Sequence, residues 1–432
     1  MKILLTQKLV PVKVDSFSAQ EVVNLPINAC RGLTAKEHIY SHKYKERQLF
    51  LSANMSFNKV FELNKKDAEL SGRKAIPLMT LENMVVREGK NLSSSMMASA
   101  DAVLTSYGFN PETLLLENDS EFPEQERPLS CPLNTIPNAK LSLLANEINK
   151  VLNLPEDQQV NPALHDNVPL SNKEVLYIEI DDIIVRKQKE HRKDSQPNSS
   201  SKWIGSTCAT LRYDDYKIDF VSDNLTNAIK LVLAYLLVNK LMVGRHLMFI
   251  ADGASSIAKA IKNTFGQFSK YTYVNCLWHV KHKLKELMSS AIKGDKQFKT
   301  EFMIQLGRYI KTGNSSNAIA FLQNLSKEHI KSGRARDNMI KYIQNKVNLN
   351  GMPCYFILEK QGIKVASTDV ESTNDMFVAC RQKEKKMAWS SDGSHSVSAI
   401  RMGFRHGVMD NFMKTHKVDI ANIVPNQILN AA

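Results

Sequence analysis

The hydrophobic pattern of the chain changes period near residue 172. From Pro77 onward, Leu78, Leu81, Met84 and Val85 recur every three to four residues, the spacing of an amphipathic helix. Gly89, Lys90 and Asn91 interrupt that run, and Ser93 or Ser94 stands where it would cap a second helix carrying Met96, Met97, Ala100, Val103 and Leu104, closed by Gly108. Two short helices across a tight turn make either an ordinary helical hairpin, the commoner case, or a helix-turn-helix that docks on DNA. Residues 109–136, rich in Pro, Glu and Asn, read as a linker. A further helix follows Pro137, with Leu141, Leu144, Ile148 and Val151 on one face, and Pro155 stops it. The expected organisation is an unassigned region over 1–65, a mainly helical N-terminal region over 66–155 that is a candidate for DNA binding, and a polar linker over 156–172.

Beyond the linker the pattern is that of an α/β fold. Residues 175–185 are apolar on both faces apart from Glu179, Asp181 and Asp182, as in a central strand. The polar stretch RKQKEHRKDSQPNSSSK from Arg186 reads as an exposed loop. Shorter strands are expected at 206–213 and 216–221, then a helix capped by Asp223 and running to Asn239, a strand at 246–251, a helix at 255–264 and a strand at 271–275. From Trp278 to about Asn348 the periodicity is helical, and Glu371 opens a later helix. Three strands, helix, strand, helix, strand is the RNase H-like order. The expected fold is therefore an RNase H-like catalytic core over 173–277, an all-helical insertion over 278–350, and the rest of the core with the Glu371 helix and a tail over 351–432.

Composition narrows the partners. The chain is 432 residues long, 43% hydrophobic and 23% charged, ordinary for a globular protein of two or three domains. Its net charge of +13 favours a polyanionic partner. The cysteines at 30, 131, 208, 276, 354 and 380 form no CxxC pair, which argues against a zinc ribbon or a thioredoxin-like site and for reduced thiols in a cytoplasmic protein. The opening MKILLTQKLVPVKV is too soon interrupted by Pro11 and charge to be a signal peptide, and no run approaches the ~20 apolar residues of a membrane span.

Three acidic residues carry the chemistry. Asp181 and Asp252 end or interrupt strand-like runs and Glu371 begins a helix, separated by 252−181 = 71 and 371−252 = 119 residues. Taken singly, each has a plain structural reading: a strand-end turn, an ADG strand-to-helix turn, and a first-turn acid stabilised by the helix dipole. Together, in this strand order, they match what a hard divalent cation needs for phosphoryl transfer. Asp182 is the rival to Asp181, since strand alternation puts the two on opposite faces. Cys276 and His279 form a CxxH after the last strand. With only His282 nearby as a further ligand, four-ligand structural zinc is not expected, and the pair reads as support beside the pocket, with His279 available to a phosphate.

At these residues the chain resembles Mutator-like DDE transposases of bacterial insertion sequences, closest to a group formerly catalogued as an uncharacterised protein family. The resemblance rests on Asp181 in IDDIIVRKQ, Asp252 in ADGA, CLWH at 276–279 and DVESTNDMFVACRQKEKKMAWSSDGSHSVSAIR, and covers about residues 176–407. Glu371, Arg381, Met387, Trp389 and Ser390 match the family's Glu, then Arg, then Met-x-Trp-Ser; read individually, Trp389 is a core aromatic and Arg381 a solvated base. The resemblance implies that Asp181, Asp252 and Glu371 are the catalytic metal-binding triad for Mg²⁺, with Mn²⁺ as the alternative ion, and that Cys276, His279, Arg381 and Trp389 are auxiliary. Asp182 departs from the pattern, because related sequences vary there between glycine and acidic residues. The first 170 residues match no part of the family, and the cysteine ribbon of some relatives is missing.

The implied function is metal-dependent cleavage and strand transfer of the ends of its own insertion sequence, by a homo-oligomer on double-stranded DNA in the bacterial cytoplasm, at the nucleoid. Rival readings are an RNase H-fold nuclease without strand transfer and a non-catalytic, transposase-derived DNA-binding protein. DNA is expected to lie against basic clusters at 186–193, 281–285 and 381–386, with Arg186, Lys187, Lys281, Lys283 and Lys383 as contacts.

Overall fold

A computed structural model describes residues 11–12, 39–72, 74–128, 135–162, 168–169, 171–188, 202–349, 351–383 and 387–428. The chain forms two compact units: one from residues 1–98, 185–204 and 376–424, the other from 99–184, 205–375 and 425–432.

The second unit is built on a mixed sheet of β1 (Val175–Arg186), β2 (Trp203–Tyr213), β3 (Tyr216–Ser222), β4 (His246–Ala251), β5 (Thr272–Asn275) and β6 (Asn426–Gln427), in spatial order β5-β4-β1-β2-β3-β6. β1 pairs in parallel with β4, and β4 with β5, while β2 and β3 form an antiparallel hairpin. Parallel pairing requires crossovers, and the helices Leu225–Val238 and Ser255–Phe265 supply them. Every residue of Leu225–Val238 from Ala228 to Leu237 is buried, in keeping with a segment apolar all round except for Lys230, which pairs with Asp101 at 2.7 Å. Its cap is Asn224, whose side chain accepts the Asn227 N–H at 2.9 Å; the expected cap, Asp223, instead accepts from the side-chain amides of Asn224 and Asn227.

Both faces of the sheet are covered. On one, Phe249 packs tilted against Phe265 at 4.8 Å between ring centroids and Phe220 meets Tyr235 edge to face at 5.7 Å. On the other, Val175, Tyr177, Met248, Ile250 and Val274 join one apolar cluster with Val280, Leu284, Phe302, Leu306, Leu322, Met339, Ile343 and Tyr355. Those partners come from the helices Leu277–Ala291, Lys296–Lys311, Ser315–Gln323, Gly333–Asn348 and Tyr355–Lys360. The helical stretch after β5 thus shares its core with the sheet.

In the first unit, helices His42–Asn54 and Phe57–Ser71 join the C-terminal helices Ser391–Arg405 and Met409–Thr415. The two helices expected across a turn at Gly89 are one helix, Leu78–Ser106, so the helix-turn-helix reading fails. Gly89 does not break it. A Cβ there would stand 2.4 Å from Ser396 Cβ, so the glycine allows Ser391–Arg405 to approach closely. Among the described residues no helix is long and apolar enough to cross a membrane, and Cys208, Cys276, Cys354 and Cys380 are free thiols.

Candidate active site at the carboxyl edge of the parallel strands

The strand register brings the sequence-predicted residues together. Ile180 pairs with Ala251, and Ala251 with Asn275. The next residue on each chain is Asp181, Asp252 and Cys276, so the three leave the carboxyl edge of three neighbouring parallel strands in step. They share the face that carries Tyr177, Met248 and Val274, because alternate residues of a strand face one way. The carboxyl ends of parallel strands are where open α/β sheets bind ligands.

Glu371 reaches this edge on the helix Thr368–Asn374, which four anchors fasten to the sheet. Glu179, two residues before Asp181 and on the same face, accepts the Asp369 and Val370 N–H groups at 3.0 Å each, capping the helix from another element. Asn374 Nδ2 donates to Asp181 Oδ2 at 2.8 Å. Thr373 Oγ1 donates to the buried Asp219 of β3 at 2.6 Å, and Lys217 Nζ donates to the Asp369 carbonyl at 3.2 Å. Lys364 pairs with Glu179 at 2.5 Å. Sequence reading missed Thr373 and Asn374 and saw Glu179 only as a polar exception in a strand; its i, i+2 relation to Asp181 was the available signal.

Asp181 and Asp182 have different surroundings. Asp182 accepts from Thr207 Oγ1 of β2 at 2.5 Å. Asp181 is pushed up to about 6, chiefly by burial, with the Asp252 charge raising it further and His279 opposing. Asp181 is therefore the aspartate beside Asp252. Asp252 Oδ1 accepts the Ala254 N–H at 2.7 Å, closing the turn into the next helix.

His279 lies between the acids. Its Nδ1 is buried, has no hydrogen-bond partner, and is 4.0 Å from Glu371 Oε1. The imidazole is held above its ordinary range by the Cys276 thiol, against burial, with Asp181 and Glu371 adding to the rise. Burial pushes the Cys276 thiol up, but His279 and Ser367 outweigh it and leave the thiol lowered; its Sγ accepts the Ser367 N–H at 3.4 Å. His282 stacks on Trp278 and pairs with Glu286 at 3.3 Å, outside this group.

A second layer comes from the helical stretch after β5. Lys346, buried on Gly333–Asn348, donates to the Gly253 carbonyl beside Asp252. Gly253 has φ +87°, and a Cβ on it would stand 2.1 Å from Lys346 Nζ and 2.3 Å from Asn275 Oδ1. No local motif marks Lys346, which is 93 residues from Gly253.

The remaining predicted residues lie elsewhere. Arg381 and Trp389 belong to the first unit, where both are buried. Arg381 Nε donates to the Ser52 carbonyl at 3.2 Å, its guanidinium lies 4.8 Å from the Trp389 ring centre, and the indole donates to the Gln382 carbonyl at 3.1 Å. Arg381 is therefore a core residue and not a solvated base of the 381–386 cluster. Arg186, Lys281, Lys283 and Lys383 are exposed and Lys187 is half-buried; Lys283 pairs with Glu286 at 2.9 Å. Residues 189–193 and 384–386 of the expected basic clusters lie outside the described residues.

No protein-family model matches the chain, and comparison with curated proteins gives no significant sequence match. Among solved structures it is similar to the Drosophila P element transposase strand transfer complex, at 9% identity over 67% of this chain and 84% of that one, with a TM-score of 0.21. A superposition that weak carries no argument about fold or function.

Proposed function

We propose that this chain is a DDE-type transposase with an RNase H-like core, of the Mutator-like group of bacterial insertion sequences. It would cut and join the ends of its own element as a homo-oligomer on double-stranded DNA. The observation that carries the reading is the juxtaposition of Asp181 and Asp252 on neighbouring parallel strands with the anchored Glu371 helix on the same face. The strand order β3-β2-β1-β4-β5 supports the RNase H-like assignment.

The residues suit hard divalent cations. Three carboxylates supply oxygen donors, and the elevated Asp181, buried beside a like charge, would be relieved by a cation. Asp181, Asp252 and Glu371 would hold Mg²⁺ or Mn²⁺, which when bound supplies activation of an attacking oxygen and stabilisation of a leaving one in phosphoryl transfer. Glu179 and Asn374 fix the helix that presents Glu371, and Lys346 fixes the turn that presents Asp252. His279, held toward its protonated form, balances the negative charge of Asp181 and Glu371 and is placed to meet a phosphate. Exposed Arg186, Lys281, Lys283 and Lys383 offer charge to the DNA backbone.

The test is a gel assay with purified protein, Mg²⁺ and DNA containing the flanks of its own gene. Cleavage at the element ends followed by joining to a target supports transposition. Cleavage without joining would leave a nuclease, and DNA binding without cleavage a transposase-derived binding protein.

A further inference from the structure

The CxxH acquires a third partner through folding. Cys276 Sγ, a ring nitrogen of His279 and a carboxylate oxygen of Glu371 all lie within 4.8 Å of one another. Cys276 is the first residue before the helix Leu277–Ala291, and His279, three residues on, stands on the same side of its first turn. The Ser367 N–H on Cys276 Sγ is a contact that favours sulfur carrying negative charge. His279 Nδ1 is buried and makes no close hydrogen bond, and the nearest carboxylate oxygen, Glu371 Oε1, stands 4.0 Å away, leaving room for an ion between them. Glu371 closes the group from the open side, its side chain 43% exposed.

A thiolate, an imidazole and a carboxylate are not the donor set of Mg²⁺, which prefers oxygen throughout. They are the donors of zinc-class ions, and three protein ligands leave a fourth position for water. Glu371 is thereby contested, since the same carboxylate is the third acid of the Asp181–Asp252 site. We propose that Cys276, His279 and Glu371 form a binding site for a thiophilic divalent cation of the zinc class, whose occupancy withdraws Glu371 from the Asp181–Asp252 pair and inhibits Mg²⁺-dependent DNA cleavage. The binding half stands on the three side chains alone; the inhibitory half rests on the transposase reading.

The full chain is titrated with Co²⁺ and followed by absorption, then with Zn²⁺ against a chromophoric chelator. One equivalent of cobalt is expected to give a thiolate charge-transfer band that persists in Cys380→Ser and disappears in Cys276→Ser. Zinc affinity should fall at least about a hundredfold in Cys276→Ser, Glu371→Gln and His279→Gln. Glu371→Gln, altered at a side chain 43% exposed, keeps the test available should Cys276→Ser fail to fold. No cobalt–thiolate band, or a zinc affinity unchanged in these variants, overturns the site. DNA cleavage in Mg²⁺ is then measured with and without one equivalent of Zn²⁺, each protein against its own zinc-free rate. Loss of cleavage in wild type but not in Cys276→Ser supports the competition, and full cleavage by zinc-loaded wild type overturns it. A zinc site in a protein that never cleaves DNA would retain the binding half and sink the transposase reading with the inhibitory half.

Discussion

Asn374 donates a hydrogen bond to Asp181 at 2.8 Å from a position three residues past Glu371 on the same helix. One side chain thus couples the first and third acids of the proposed triad, so a shift of the helix moves both. Asp182 faces another neighbour, Thr207. Asp181→Asn should reduce Mg²⁺-dependent cleavage by about a hundredfold or more, the scale for removing one preorganised electrostatic group. Asp182→Asn should keep cleavage within a few fold and lower stability by about 1 kcal/mol, the usual worth of one hydrogen bond. Cleavage rates and denaturant midpoints of the pair decide; the reverse ranking would make Asp182 the ligand.

The elevated Asp181 gives the metal-free protein a pH signature. Its folded value of about 6 lies above the ordinary aspartate value of 3.8, chiefly through burial. Between those values the folded state binds more protons than the unfolded one, so stability falls as pH rises through the window and the loss is complete above about 6. In EDTA, the wild-type melting temperature is expected to drop across this range relative to Asp181→Asn, whose amide does not titrate. Mg²⁺ should restore the wild type at pH 7 and leave Asp181→Asn little changed. Parallel melting curves for the two proteins would refute the buried, like-charged environment of Asp181.

The strand and helix order of the second unit was legible because parallel strands buried on both faces, and the crossovers between them, write long apolar runs. The acids at 181, 252 and 371 were legible because carboxylates interrupt or bound those runs. The anchors were not: Glu179, Asn374 and Lys346 act across 190, 193 and 93 residues, and no local period encodes such distances. Gly89 misled for the opposite reason. Its helix-breaking propensity is local, while the close approach of Ser396 that requires it is tertiary. Arg381 likewise reads as a solvated base until Phe57 and Trp389 are found around it.

Gly253 is the tightest point around Asp252. Its φ of +87° and the absence of room for a Cβ make Gly253→Ala both strained and overpacked. The expected cost is about 1–3 kcal/mol, a melting temperature lower by roughly 3–10 °C, with cleavage impaired because Lys346 loses the carbonyl beside Asp252. Gly205→Ala, where a Cβ meets nothing within 4 Å, is the control. Equal melting temperatures for the two variants would contradict the packing at this turn.

Binding to duplex DNA should be steeply salt-dependent, because each neutralised phosphate releases counterions with a slope near 0.9 in the double-logarithmic plot. The net charge of +13 and the exposed Lys281 and Lys283 of the helix Leu277–Ala291 motivate this. Replacing both lysines with alanine should lower the slope by up to about 2. Affinity indifferent to salt between about 50 and 200 mM would argue against electrostatic capture of DNA.

Glu371→Gln separates a functional from a structural role most sharply. Glutamine keeps the size and one carbonyl oxygen but removes the charge that a hard cation requires. The side chain is 43% exposed, and the anchoring bonds of its helix come from Asp369, Val370, Thr373 and Asn374. The variant should therefore melt within roughly 2 °C of wild type, as exposed substitutions do, and bind DNA as well, while cleavage falls about a hundredfold or more. Cleavage rate, melting temperature and DNA affinity are measured on the same preparation. Near-normal cleavage with a lowered melting temperature would make Glu371 a structural residue of its helix, and the proposed metal site would lose its third carboxylate.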